Sequence, residues 1–429
     1  MKRHGKSALF GTILLLLLPL LVSAQWLEST ITVGIAPLAL VYNSTNNKIY
    51  SANEWGDDVT VIDGATNNVI ATIPAFDAPA ALVYNPTNNK VYCANNISAT
   101  ITVIDGAADT VITTIGVGNQ PKALVYNSTD NKVYSANLEY DDITVIDGAA
   151  DTVITIIAAG NEPCALVYNP TDNKVYCANQ NSNDVKVIDG AANYVITTIL
   201  VGTSPCALVY NSTNNKIYSA NAGSDNVTVI DAAADTVITT IPVGDMPFDL
   251  AHNPTNNKIY SANIGGGTVT VIDGAADSVI TTITIGGEPR ALFHNPINNK
   301  VYCAAPVINN VVIIDGATDS IVTSILVGDS PWDFAWNPVQ NRTYDADYGS
   351  STVSVIRDSL TGIEEGEMGN VSRTYLAPTI FRGSLQLPAG KTCRVFDITG
   401  RVVDPHRIQQ GIYFIEVEGK VAQKVIKTR

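Results

Sequence analysis

An all-β ring, an eight-bladed β-propeller closed by a strand from the N-terminal end, is the fold class predicted by three observations on this sequence. The first is a period: proline recurs at positions 37, 79, 121, 163, 205, 247, 289 and 331, and a base at Lys48, Lys90, Lys132, Lys174, Lys216, Lys258, Lys300 and Arg342, so eight 42-residue copies follow one another without an insertion. The second is the content of a copy. In residues 201–242 the runs ALVYN, NKIYSAN, NVTVID and DTVITTI are rich in β-branched and aromatic residues, with Asn, Asp, Gly, Ser and Pro between them. The third is a pair of complementary defects. Residues 29–34 match the fourth strand of a copy with no first three before it, and the eighth copy runs through three strands, at 334–337, 343–347 and 353–356, and stops. A fixed period of this length signals a solenoid, a propeller or an array. Four short strands per unit, with no 3.6-residue apolar period outside the leader, select the propeller blade.

Taken in chain order, residues 1–24 read as a secretory signal: a basic start, an apolar run over 13–22, and the small residues Ser23 and Ala24 before Gln25. The rival reading is an uncleaved anchor, but the apolar run is short of the ~20 residues a span needs. No other segment is a candidate span. Within each copy the strands are named A to D. Strand A is apolar at nearly every position, so it is expected innermost and buried on both faces, with D outermost. If the strand at 29–34 pairs with the last copy, every blade has four strands and no blade seam is left as an open edge.

The connections alternate between the two faces of the disc. The A–B turns (85–89 in the second copy) and C–D turns (105–109) share one face and barely vary. The B–C and D–A connections share the other and differ: 54–57, 138–142, 265–267 and 306–309 in B–C, and Leu38, Ala80, Lys122, Cys164, Cys206, Phe248, Arg290 and Trp332 after the recurring proline. Variable loops on a rigid scaffold are where binding resides, although drift in unconstrained loops produces variation too. The candidate ligand-binding set is Trp55, Lys122, Tyr140, Phe248, Asp249, Arg290, Trp332 and Asp333. Phe248-Asp249 and Trp332-Asp333 repeat an aromatic-acid pair two blades apart, suited to a polar ligand with an apolar face such as a sugar; the alternative is that the rings plug the channel mouth.

Other residue types are read structurally. The recurring Asp63, Asp105, Asp147, Asp189, Asp231, Asp273 and Asp315 stand one per copy after strand C and are expected to cap turns, since they lack the dense carboxylate spacing of a calcium loop. His252 and His294 take a strand A position held by Tyr in five copies and Trp336 in the eighth, which reads as packing rather than metal ligation. Of six cysteines, Cys93, Cys177 and Cys303 replace Ser in strand B, Cys164 and Cys206 follow the proline, and Cys393 lies in the tail. Cys164 and Cys177 stand in neighbouring strands where a bridge is possible, but the scatter fits small buried residues. No catalytic residue, metal site or cofactor is expected.

Charge is uneven. The chain carries −15 overall; residues 25–358 hold 33 acids against 12 bases, 359–372 three acids and no base, and 373–429 ten bases against four acids. An acidic body of this kind repels nucleic acid and anionic lipid, which are excluded as its partners. Residues 359–378 form a Gly- and Glu-containing linker, and 379–429 a small β-sandwich-like domain with a turn at 397–401.

The run Lys90-Val91-Tyr92-Cys93-Ala94-Asn95 followed by Thr102-Val103-Ile104-Asp105 resembles the YVTN-repeat β-propeller family of archaeal surface-layer and bacterial exported proteins, over roughly 29–358. Most copies read Tyr-Ser-Ala-Asn or Tyr-Cys-Ala-Asn in place of the name-giving tetrapeptide, and the resemblance carries over no catalytic residue. Residues 387–388, 395–403, 411–414 and 424–427 are similar to the C-terminal sorting domain of the type IX secretion route, with Ala377-Pro378 where that family commonly has Asn-Pro. That resemblance implies passage across the outer membrane and then tail removal or surface attachment. The expected function is a non-enzymatic binding or scaffold protein, secreted or at the cell surface, with a polysaccharide or protein ligand. The alternatives are a lactonase- or hydrolase-type propeller enzyme and a surface lattice protein.

Overall fold

Eight four-stranded sheets repeat along the chain because every copy carries the same turn chemistry. The computed structural model describes residues 25–358 and, towards the C-terminus, 379–381, 393–397, 402–405, 411–417 and 420–427; the signal-peptide and linker assignments lie outside the described residues. Blades 1 to 7 occupy 37–74, 79–116, 121–158, 163–200, 205–242, 247–284 and 291–326, each with its strands in the order A-B-C-D. Blade 8 is built from Pro331–Asn337, Arg342–Asp347 and Thr352–Asp358, and its fourth strand is Gln25–Thr32. The expected closure is therefore present, and it begins four residues earlier than the repeat alone indicates.

Each turn has a local cause. The Asn that ends strand A, for example Asn43, accepts from the amides of Thr45 and Asn46 at 2.9 and 3.1 Å, and Asn47 then takes a positive φ of 54°. Short polar side chains tolerate that conformation best. The Asp after strand C acts as expected: Asp105 Oδ1 accepts from the amides of Ala107 and Ala108 at 2.8 and 3.0 Å.

The same turn residues join blade to blade. Asn43 Nδ2 donates to Asn89 Oδ1 in the next blade at 2.9 Å, and the bond recurs from Asn85, Asn127, Asn169, Asn211, Asn253 and Asn295 until Asn337 donates to Asn47 at 2.9 Å. Eight amide bonds close a circle. A second clasp uses the recurring base and the strand B tyrosine: Lys48 Nζ reaches Asp109 Oδ2 at 2.7 Å and Tyr50 OH donates to Asp109 Oδ1 at 2.7 Å. Lys90, Lys174, Lys216 and Lys258 repeat it with Asp151, Asp235, Asp277 and Asp319. At the closure Arg342 takes the Lys position and binds Glu28.

The apolar core lies between blades. One cluster combines Leu40, Ile49 and Ile62 of blade 1 with Tyr344, Ala346, Val353 and Val355 of blade 8 and Ile31 of the closing strand. Strands B and C are sealed, with Tyr50, Tyr92, Tyr134, Tyr176, Tyr218, Tyr260, Tyr302 and Tyr344 all fully buried. Strand A departs from expectation. It is half-exposed at most positions rather than buried on both faces, because it is the inner edge of the ring and its side chains line a central channel. Strand D is mostly exposed, and a register shift in its pairing with C, between Val103 and Ile104 in blade 2, bends the outer edge.

A separate unit covers 364–429. Its described strands form one five-stranded sheet in which Thr379–Phe381 pairs parallel to Lys420–Lys427 and the other pairings are antiparallel. The expected sandwich is thus a single mixed sheet among the described residues, and most of the turn expected at 397–401 lies outside them. No helix among the described residues is long and apolar enough to cross a membrane.

Candidate functional site: the channel mouth

The residue after the recurring proline points into the channel for a backbone reason. Pro121 pairs with Asn137 and Ala123 with Ala136, so Lys122 is an extra residue in strand A, a β-bulge that re-aims its side chain. The same shift follows Pro37, Pro79, Pro163, Pro205 and Pro247. In blade 8 it is wider, from Pro331 to Phe334, and takes in both Trp332 and Asp333. Blade 7 differs: strand A begins only at Ala291, Arg290 is held by its amide on Ala304 O at 2.9 Å, and Gly286 supplies the positive φ (83°) of this loop.

These bulges and the blade 7 loop bring six of the eight expected residues together. Lys122, Phe248, Asp249, Arg290, Trp332 and Asp333 line one cavity of about 480 Å³ at the B–C/D–A end of the channel, with Leu38, Ala80, Cys164 and Cys206 completing the upper ring. Trp55 and Tyr140 are not in the cavity. Each stands on a B–C loop, 65% exposed.

Arg290 lies between its neighbours' rings, with its guanidinium carbon 4.7 Å from the Phe248 centroid and 3.2 Å from that of Trp332. Tyr348 stacks on Trp332 at 5.1 Å between centroids, accepts from Trp55 Nε1 at 2.5 Å and donates to Glu54 Oε2 at 2.7 Å. Phe248, Arg290, Trp332, Tyr348 and Trp55 thus form one ladder across blades 6, 7, 8 and 1. Cation–π contacts of this kind are worth ~0.5–2 kcal/mol each, more when desolvated. Burial between the rings pushes the Arg290 guanidinium down to about 10, against the opposing effect of Glu288.

The two acids of the aromatic-acid pairs turn to structural work. Asp249 Oδ2 accepts from the Leu292 amide of blade 7 at 2.7 Å, and Asp333 Oδ2 from the Leu40 amide of blade 1 at 2.8 Å. They bind across blade seams at a position occupied elsewhere by Ala39, Ala81, Ala123, Ala165, Ala207 and Ala291. Burial raises Asp249 to about 7 and Asp333 to about 6 despite those amides. A sugar stacked on free Trp332 and Phe248 faces, with the acids beside it, is therefore not the arrangement present: Arg290 covers both rings.

Tyr348 was not among the expected residues. Its column reads Glu54, Asn96, Leu138, Gln180, Ala222, Ile264 and Pro306 in the other copies, so a single ring there was a readable signal.

A family model for YNCE-like beta-propellers matches residues 17–337. The chain belongs to that family. The YNCE-like propeller resembles the solved structure of Kuenenia stuttgartiensis hydrazine synthase at a TM-score of 0.56 and 19% identity, with 76% of this chain and 96% of that one covered, a likeness of fold. No curated protein matches.

The cysteines and histidines of this YNCE-like propeller make local contacts. Cys93, Cys177 and Cys303 are buried free thiols; Cys164 and Cys206 are also free, and each donates to the carbonyl of the next blade's proline at 3.2 Å. Nothing is described of the Cys393 side chain. His252 lies 3.5 Å from Thr213 Oγ1, and His294 3.2 Å from Asn299 Oδ1. Burial lowers both rings towards the neutral form.

Proposed function

We propose that this chain is an exported, non-catalytic binding protein whose channel-mouth face captures an extracellular ligand, polysaccharide or protein. The observation that carries the reading is the ladder Phe248, Arg290, Trp332, Tyr348 and Trp55. It orders large side chains from four blades on the one face where the copies differ, and aromatic and arginine side chains are the types that dominate binding energy at interfaces. Leu38, Ala80, Lys122, Cys164 and Cys206 complete the cavity wall. Export rests on the N-terminal leader and on the tail's likeness to a type IX sorting domain.

The test is a glycan and peptide array probed with the mature chain from Gln25. Binding is expected, and Trp332→Ala or Phe248→Ala should remove it while leaving the melting transition within a few degrees of the parent. An array with no hit, or hits untouched by both variants, overturns the reading. A second reading, a channel-site hydrolase, draws on Asp249 and Asp333 with their carboxyls shifted towards neutrality. Turnover of a lactone or glycoside panel, lost in Asp249→Asn and Asp333→Asn, would favour it.

A further inference from the structure

The propeller's cations are few, and most of them are paired. Residues 25–358 contain twelve Lys and Arg residues. Eight form ion pairs: Lys48, Lys90, Lys174, Lys216, Lys258, Lys300, Arg342 and Arg357. Lys132 donates to Asn193 and to two carbonyls, and Lys186 to Thr198. The two left, Lys122 and Arg290, have no side-chain acceptor among the described residues, and both line the same cavity. They belong to blades 3 and 7, four apart in a ring of eight, and so stand on opposite walls of the channel.

Arg290 is the more constrained of the pair. Phe248 and Trp332 flank its guanidinium, its Nε is buried without a partner, and the cavity's acids are committed to the amides of Leu292 and Leu40. Glu288 is near enough to favour its charge but makes no ion pair with it. A half-buried cation held this way is costly, and a flat guanidinium fork matches one planar carboxylate in particular. The acidic body, with 33 acids, opposes a polyanion at long range. The cavity surface is mostly polar, which suits a hydroxylated ligand, and a cavity of about 480 Å³ suits a small molecule or one chain end.

We propose that the channel mouth binds a saccharide carrying a single carboxylate, a uronic acid unit or chain end, with Arg290 gripping the carboxylate and Lys122 balancing its charge from the opposite wall. This rests on the binding reading above and adds the chemical class of ligand.

The experiment is titration calorimetry of the mature chain with galacturonate, galactose, acetate and an acidic peptide. Galacturonate should bind at least tenfold more tightly than either galactose or acetate, and more weakly as salt is raised. Arg290→Gln should lose at least tenfold, Arg290→Lys should recover only part of it, and Lys122→Glu should lose several-fold. Lys122 is exposed, so its variant remains informative if Arg290→Gln does not fold. Galactose binding as well as galacturonate, or Lys122→Glu and Arg290→Gln both leaving affinity unchanged, overturns the carboxylate assignment. Neutral glycan hits on the array, lost in Trp332→Ala, would then leave the binding reading standing without it. An acidic peptide that binds where galacturonate does not overturns the saccharide class.

Discussion

Arg342 grips Glu28 with two hydrogen bonds of 2.7 Å, Nε to Oε2 and Nη2 to Oε1, across 314 residues of chain. Glu28 reaches it because the pairing of Gln25–Thr32 with Thr352–Asp358 slips between Leu27 and Ser29, and Arg357 adds a third contact at 3.2 Å. Burial opposes ionisation of Glu28, but the two guanidiniums outweigh it and hold the carboxyl below its usual range. Glu28→Ala should cost ~1–3 kcal/mol, the range for charge-assisted bonds lost with a partner left uncompensated. Deleting residues 25–34 should do more, exposing the edge at Val353 and Val355 and promoting aggregation. Melting curves and light scattering check both; a deletion that stays monomeric with an unchanged melting temperature refutes strand closure as a stabilising device.

The interblade clasp carries its own internal comparison. Lys216 and Tyr218 share Asp277, at 2.6 and 2.8 Å, whereas Lys132 and Tyr134 share the neutral Asn193, at 3.1 and 2.9 Å. Asp277→Ala should destabilise by ~1–3 kcal/mol because it removes the carboxylate shared by a largely buried ammonium and a buried hydroxyl and leaves both only the Gly274 carbonyl, at 3.2 and 3.3 Å. Asn193→Asp should change stability by no more than ~1 kcal/mol, in the stabilising direction. Urea denaturation of both variants reads the two signs, and the same sign for both refutes the clasp.

Blade 8 holds a carboxyl pair in place of a hydroxyl–amide pair. Ser51 Oγ donates to Asn53 Oδ1 at 2.9 Å in blade 1, and the corresponding residues of blade 8 are Asp345 and Asp347, both fully buried. Only a protonated Asp345 has a hydrogen to donate, and burial together with Asp347 holds its carboxyl well above the usual range. Asp347 is raised to about 6, chiefly by burial. The folded chain therefore binds more protons than the unfolded chain between pH ~3.9 and the raised values, and stability falls as pH rises through that window. Glu28 acts oppositely, contributing above its unfolded value of ~4.3 and losing that contribution as pH falls through the lower folded value. Asp249 and Asp333, raised by burial, act in the same direction as the pair, while His252 and His294, lowered by burial, oppose them as pH falls through the ordinary imidazole value. With the raised carboxyls outnumbering the two rings, the melting temperature should be higher at pH 5 than at pH 8, and Asp345→Ser with Asp347→Asn should narrow the gap. A gap unchanged in the double variant assigns the effect elsewhere.

Truncation after residue 363 should leave the melting transition of the propeller unchanged, because 364–429 is a unit of its own. The cut belongs there rather than at Asp358, whose carboxyl bonds Asn295 at 2.9 Å and also Tyr302. With the tail as the export signal, the truncated chain should remain folded in the periplasm of a host with the type IX route. Fractionation showing it at the surface refutes that role.

The sequence was most readable where one residue type recurs for a local reason. The Asn and Asp turns, the borrowed strand and the blade count are visible because the same backbone geometry is requested eight times. What a repeat cannot display is how one column meets the next blade's. Asp249 and Asp333 read as ligand contacts because they follow aromatic rings; both line the cavity, and the repeat does not display that each also accepts an amide of the next blade. Arg290 stands out in the sequence as a large charged side chain, while the sandwich that holds it depends on three blades at once. Strand A was misjudged as doubly buried because apolar composition is the same whether a strand faces a core or a channel lined by small side chains.

Gln25 and Asp358 are partners on the same rung of blade 8. Strand D starts, and strand C ends, on the A–B/C–D side of the disc, so the chain enters and leaves the ring at one point on the face opposite Arg290. A protein held through whatever follows residue 358 would be attached from the face opposite Arg290. Cutting the ring at any C–D turn and joining 25 to 358 by a short linker should give the same disc attached at a different blade but on the same face, so the face that carries Arg290 stays directed away from the attachment.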